Sequence, residues 1–312
     1  MTISYKKYKS NNMKKNIYLL YLACATVCLF SCSDSKIKIK NSLAEQNLKG
    51  NVKTLIFYSY RAITKSEFGN EVLALNSTEH YVESIKKLES ITIKDIEKDS
   101  LISKTVSMFN KEGNEEERKI YNANGLLKIH FVFVYDAKGH AIETKTNLKN
   151  GDLYSIYKYE YDGNKQIQKI YNPDASFKQK IVHNFDNNGN DVEDITFDNS
   201  SSSPTERCTY QYTSTGNLIE YTHFKGDVLD GKTLFKHDNK GNKTKYFYCQ
   251  EDYDNDDKPD TWDPSQPPPP PPLYEKPVFK YTDFDKLGNW LKVFEFYSYT
   301  PKFINEREIE YY

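Results

Sequence analysis

A single pattern constrains this 312-residue chain more than any other: glycine followed by asparagine, or a near variant, at almost even spacing. The copies are Gly113-Asn114, Gly139-His140, Gly163-Asn164, Gly189-Asn190, Gly216-Asn217, Gly241-Asn242 and Gly288-Asn289, about 25 residues apart except across the last interval. A fixed period of this length marks a repeat architecture. Most of the glycines follow an aromatic-Asp pair: Tyr135-Asp136, Tyr161-Asp162, Phe185-Asp186, His237-Asp238 and Phe284-Asp285, with Tyr212-Thr213 a degenerate copy. Asp and Asn side chains hydrogen-bond nearby backbone and Gly supplies positive φ, so each copy predicts a tight turn. A second turn falls midway in several copies, at Asn122-Gly125, Lys149-Gly151 and Asn172-Asp174. Two turns per repeat leave two strands of about seven residues, a run of β-hairpins.

Strand phase follows from the turns. Counting back from each turn gives Phe131, Phe133, Tyr135; then Tyr157, Tyr159, Tyr161; then Ile181, His183, Phe185; then Cys208, Tyr210, Tyr212; then Thr233, Phe235, His237. A period of two puts each set on one face. A further aromatic recurs eight residues after the glycine, at Tyr121, Tyr171, Phe197, Phe224 and Phe296. With 26 Tyr and 17 Phe beside abundant Lys and Glu, the composition suits a sheet with one packed and one wet face. The N-terminal stretch 47–110 carries no clear copy and is expected to be irregular, with Ser90–Asp95 a strand candidate.

The aromatic-Asp-x-x-Gly-Asn array resembles the YD repeat of the RHS family. Its opening Leu48-Lys49-Gly50-Asn51-Val52-Lys53 and its closing Gly288-Asn289-Trp290 with Arg307-Glu308-Ile309-Glu310-Tyr311-Tyr312 are similar to YD-repeat lipoproteins of Bacteroidetes. In long family members such repeats spiral into a shell around a cargo. With about seven copies and no toxin-like tail, the resemblance implies an all-β antiparallel hairpin meander forming a curved open sheet.

The N-terminus adds an address. Met13-Lys14-Lys15 is a basic start, and Met13 is a candidate true start; Ile17 to Phe30 is almost wholly apolar yet short for a membrane span of about 20 residues. Leu29-Phe30-Ser31-Cys32 resembles a lipobox, which makes residues 1–31 a lipoprotein signal peptide and Cys32 the lipidated first residue, followed by a tether (32–46) and one repeat domain (47–312). Stable anchoring takes more than one acyl chain. Residues 1–31 hold five lysines and no acids, so the mature chain carries 38 basic against 44 acidic residues. That balance speaks against nucleic-acid binding.

Beyond Cys32, Cys208 and Cys249 remain in the mature chain. In a meander they lie three strand spacings apart, roughly 14 Å, beyond the ~7 Å a disulfide allows, and are expected to be buried free thiols. The six histidines show no metal-ligand pairing. No nucleophile elbow or phosphate loop is present, so no catalytic residue is assigned. Glu115, Glu116, Glu117, Glu143, Glu193 and Glu220 read as exposed charge on a wet face, although carboxylates paired only in space would suit a glycosidase.

The long interval holds an Asp/Pro-rich insert, 251–276. Asp252, Asp254, Asp256, Asp260 and Asp263 have the spacing of a calcium loop. They resemble the loops of thrombospondin type 3 repeats and dockerins, with Asp257 where the family has Gly. Calcium is thus the candidate cofactor, against a plain solvated loop. Pro267 to Pro272 would form a polyproline rod of about 19 Å.

Together these features predict a non-enzymatic outer-membrane lipoprotein, facing the periplasm or the cell surface, whose partners are the membrane through its lipid and a glycan or envelope protein. Two alternatives stand beside it: a structural envelope protein without a small ligand, and a carboxylate-based glycoside hydrolase.

Overall fold

The structure is a computed structural model that describes residues 40–64, 93–199, 201–249, 274–297 and 300–312. Among them, sixteen antiparallel strands pair strictly in chain order. They are β1 (Val52–Thr64), β2 (Ile96–Phe109), β3 (Glu115–Asn122), β4 (Leu127–Tyr135), β5 (Ala141–Leu148), β6 (Leu153–Asp162), β7 (Lys165–Tyr171) and β8 (Phe177–Phe185). The second half comprises β9 (Asp191–Asp198), β10 (Glu206–Tyr212), β11 (Leu218–Lys225), β12 (Val228–His237), β13 (Lys243–Cys249), β14 (Tyr274–Phe284), β15 (Trp290–Tyr297) and β16 (Thr300–Tyr311).

The sheet is a closed barrel, which corrects the expectation of an open curved sheet. β1 pairs with β16 along its length, from Val52↔Tyr311 to Arg61↔Phe303. Closure gives partners to the N–H and C=O groups that two free edges would expose. The described part of 47–110 is not irregular either: it supplies β1 and β2, of 13 and 14 residues, and β1 joins the two ends of the sheet. Of the strand candidate Ser90–Asp95, Ile93–Asp95 is a single 3-10 turn and the rest lies outside the described residues.

The repeat motif is a five-residue turn with a fixed hydrogen-bond set. In one copy Asp136 Oδ1 accepts the backbone N–H groups of Lys138 and His140 at 2.8 and 2.9 Å. Asp186, Asp238 and Asp285 repeat the arrangement. The Asn that ends the turn donates its side-chain N–H to the other carboxylate oxygen, as Asn190 does to Asp186 at 2.8 Å. The glycine takes the left-handed conformation the turn requires, φ +77° at Gly189. The Gly163-Asn164 copy is tighter, a two-residue hairpin between Asp162 and Lys165.

Each five-residue turn is followed by a bulge two residues after its Asn. Asn184 pairs with Glu193 and Phe185 with Asp191, leaving Val192 over; the same step leaves over Glu116, Ile142, Ile219, Thr244 and Leu291. A bulge resets the alternation. The first and fourth residues of the strand, which strict alternation would separate, then share the inner face.

That inner face carries the repeat aromatics. Phe131, Phe133, Ile181 and Phe185 are buried. The outer face is charged, with ion pairs such as Lys169–Glu160, Lys98–Glu306 and Lys292–Glu306. An outer apolar cluster of Ala62, Ile96, Phe294, Phe296 and Ile304 interrupts it at one end of β14 to β2. The aromatics eight residues after the glycine also face out, four of them under a neighbouring cation: Lys158 over Tyr171, Lys180 4.0 Å from the Phe197 ring centroid, Arg207 4.0 Å from that of Phe224, and Lys280 over Phe296.

Hairpins of an up-and-down barrel place alternate turns at opposite mouths. The Gly-Asn turns surround one mouth, and the connections between odd- and even-numbered strands surround the other. Residues 40–51 lie across the first. They include the helix α1 (Ser42–Glu45), N-capped by Asn41, whose side chain accepts the Ala44 N–H. Leu43 N–H donates to Gly113 O at 3.1 Å, Lys40 Nζ to Asn190 Oδ1 at 2.6 Å, and Lys49 N–H to Asn289 Oδ1 at 2.8 Å. Leu43 and Leu48 pack onto Val52, Leu55 and Phe109 beneath. One short segment thus ties together turns from across the mouth and caps it.

Candidate functional site

Below the cap, the wall of β8, β9 and β10 gathers titratable side chains. His183 lies opposite Asp194, and Asp194 opposite Cys208. The bulge at Val192 brings Asp191 to the same face. His183 is 4 % exposed, and its Nδ1 stands 3.0 Å from Asp191 Oδ2 and 2.5 Å from Asp194 Oδ1. The ligand-type atoms of the three residues all lie within 4.8 Å of one another. Tyr210 O–H donates to Asp194 Oδ2 at 2.7 Å. Two buried atoms of this trio have no hydrogen-bond partner, His183 Nε2 and Asp191 Oδ1.

The electrostatics follow from burial and charge. Burial alone would push the His183 imidazole down, but the Asp194 carboxylate and bonds to both aspartates hold it up, to about 10. Burial, with Asp194 beside it, pushes Asp191 up to about 7. Asp194 stays below the usual carboxylate value: burial opposes this, and His183 and Tyr210 outweigh it. Burial raises the Cys208 thiol to about 11, and its Sγ lies 3.3 Å from the Tyr221 hydroxyl. The trio is therefore a buried site with one imidazole and two carboxylates, a donor set that suits a divalent first-row cation.

Two other inner clusters differ in kind. Glu115 and Arg118 form a buried ion pair under α1, with Glu115 0 % exposed, and Glu115 N–H donates to Ser42 Oγ. This corrects the expectation of exposed charge at Glu115: the bulge at Glu116 turns it inward and places Arg118 beside it. Elsewhere on the inner wall Arg307 lies 3.5 Å from the Trp290 ring centroid, and Lys243, which burial lowers, interacts with Glu295, which burial raises.

Of the residues singled out from sequence, Cys32, Asp252, Asp254, Asp256, Asp260 and Asp263 lie outside the described residues. Cys208 is a free thiol and half-buried rather than fully buried; its strand β10 is separated from β13, which ends at Cys249, by β11 and β12. Sequence reasoning placed His183 inward but missed its aspartates. Strict alternation puts Asp191 and Asp194 on opposite faces. What brings them together is the bulge that follows each Gly-Asn turn, which depends on the partner strand and leaves no local sequence signal.

Fold and site together define a closed, capped, sixteen-stranded antiparallel barrel with a polar cluster inside. No family model matches the chain, and no curated protein matches it. Among solved structures it is similar to a porin-like protein from Bacteroides uniformis, at 8% identity over 83% of this chain and 96% of that one, with a TM-score of 0.31. A porin-like protein from Bacteroides vulgatus aligns at 13% identity over 71% of this chain and 96% of that one, TM-score 0.27. The Photorhabdus luminescens Tc holotoxin pore aligns at 12% identity over 81% of this chain but 15% of its own, TM-score 0.26. At these scores no function follows from the likeness.

Proposed function

We propose that this chain is a lipid-tethered, non-catalytic module of the outer-membrane envelope, of YD-repeat type, with its capped mouth toward the bilayer and its other mouth presented to a glycan or envelope protein. The observation that carries this reading is the seat of residues 40–51. They begin eight residues after Cys32, a reach of at most about 29 Å when fully extended, and they are bound to the Gly-Asn mouth. A lipid on Cys32 would hold that mouth near the membrane.

The opposite rim carries exposed apolar side chains: Leu126, Tyr154, Phe177 and Val228, the last 70% exposed. The strands flanking residues 65–92 and residues 250–273, which hold most of the Asp/Pro-rich insert, also end there. The ion-paired outer face supports a barrel in water, since Lys or Arg facing lipid at mid-bilayer costs about 2–4 kcal/mol each. The inward packing of the repeat aromatics favours a second reading, a structural envelope protein without a small ligand. A carboxylate glycosidase is the weaker reading: Asp191 and Asp194 both bind His183, whereas flanking a glycosidic bond takes carboxyl groups about 5–9 Å apart.

The test is a photo-crosslinker placed in cells at Leu126 or Val228, and for comparison at Met108 or Val134 near the Gly-Asn mouth. A partner band from the rim positions alone supports presentation. Bands from neither pair favour the structural reading. A Cys32→Ser chain that stays in the membrane fraction removes the tether from the account.

A further inference from the structure

We infer that His183, Asp191 and Asp194 bind a divalent first-row transition metal ion inside the capped barrel. The geometry points there first. Two carboxylates from one bulged strand converge on a single imidazole nitrogen of the next strand. One Nδ1–H cannot donate well to both, so a purely protonic cluster needs a second proton held between Asp191 and Asp194. A cation at that point serves all three donors at once. Ligand atoms sharing an ion at about 2.0–2.2 Å lie roughly 3.0–3.4 Å apart, and opening the 2.5 and 3.0 Å separations to that range needs only small side-chain rotations.

The second observation is the unmet bonding inside the trio. His183 Nε2 and Asp191 Oδ1 are buried without partners, and an unmet buried polar atom is costly. An ion with its remaining positions filled by water would bring bonded water to Asp191 Oδ1. Two carboxylates balance a dication in charge, and one nitrogen with two oxygens suits Zn²⁺, Mn²⁺, Fe²⁺ or Co²⁺ better than calcium. Tyr210, bonded to Asp194 Oδ2, orients that ligand from behind. The site is distinct from the acidic insert, whose all-oxygen side chains suit a hard cation.

Cobalt(II) titration of the metal-stripped full chain tests this, read by the visible ligand-field absorption. The expected result is saturation at one Co²⁺ per chain, reversed by Zn²⁺. Asp194→Asn and His183→Gln should each weaken binding at least tenfold, while Asp252→Asn/Asp256→Asn leaves it unchanged. The absence of a saturable band, or equal affinity in the site variants, overturns the proposal. If His183→Gln does not fold, nitrogen NMR of the histidine-labelled wild type decides. Loss of the His183 Nδ1 proton on adding Zn²⁺ supports the site. A retained proton means a proton-only or water-filled cluster and overturns it.

Discussion

Tyr312 donates its backbone N–H to the carbonyl of Asn51 at 3.0 Å, joining the last residue of the chain to the start of its first strand. The same bond occurs inside each five-residue Gly-Asn turn, as from Asp136 N–H to His140 O at 2.6 Å and Asp186 N–H to Asn190 O at 2.9 Å. The barrel therefore closes through one more copy of its own turn, split between termini: Tyr311-Tyr312 supplies the aromatic half and Gly50-Asn51 the Gly-Asn half. Tyr311 O–H bonds Asp285 and accepts from Asn289 Nδ2, locking the split copy to the preceding turn.

Gly50 should be less replaceable than the rim glycine Gly125. Its φ is +86°, and an added Cβ would press on the Tyr311 ring at 3.1 Å and push aside the exposed Leu287 side chain. Gly125, at φ +73°, has open space around it. Gly125→Ala is expected to cost about 1–2 kcal/mol from backbone strain alone, and Gly50→Ala clearly more. Ala175, at φ +65° in a rim turn, is the converse case: Ala175→Gly should stabilise by about 0.5–1 kcal/mol. Urea unfolding of the three variants checks the order.

The turn carboxylates work as backbone acceptors. Asp186→Ala removes the acceptor of the Asn188 and Asn190 N–H groups and should cost about 1–2 kcal/mol, as loss of a helix cap does. Asp186→Asn keeps an oxygen there and should cost less than half as much. Equal losses in thermal unfolding would mean that charge, and not bond geometry, holds the turn.

Glu115 and Arg118 should show strong non-additivity. Glu115→Gln leaves the Arg118 charge in a buried place, with an expected loss of about 3–5 kcal/mol. Glu115→Leu combined with Arg118→Met removes both charges and should lose much less than the single change. A double change as costly as the sum of the singles, measured by denaturant midpoints, would refute this.

His140 should make the fold acid-sensitive. It takes the Asn place in its turn with 0 % exposure, its Nδ1 2.5 Å from Asp136 Oδ2. Burial pushes its pKa down to about 4, against the Asp136 charge. The unfolded chain then binds this proton near pH 6.5 and the folded one only near 4. Stability is full above pH 6.5 and falls between there and 4, by at most roughly 3 kcal/mol. His140→Asn should remove this share of the loss, seen as a smaller drop in Tm between pH 7 and 5.

Much of the barrel was legible in the chain because its cues are local. Asp136, Gly139 and their counterparts act within five residues, and Phe131, Phe133 and Tyr135 report a face by period two. The bulge at Val192 was not legible, since the leftover residue is defined by the partner strand β8. The pairing of Asp191 with Asp194, and of Glu115 with Arg118, was hidden with it. Residues 40–46 read as tether because a four-residue helix gains its stability from the turns it touches and not from its own sequence.

The amino-acid sequence by itself determined the turns, the strand alternation and the chain-order pairing, all of which depend on neighbours within one repeat. Only the tertiary structure decided that the sheet closes, that residues 40–51 cap one mouth and that three side chains meet at His183. Each of these depends on residues brought together across the barrel, where the free edges of β1 and β16 satisfy their hydrogen bonds only in each other.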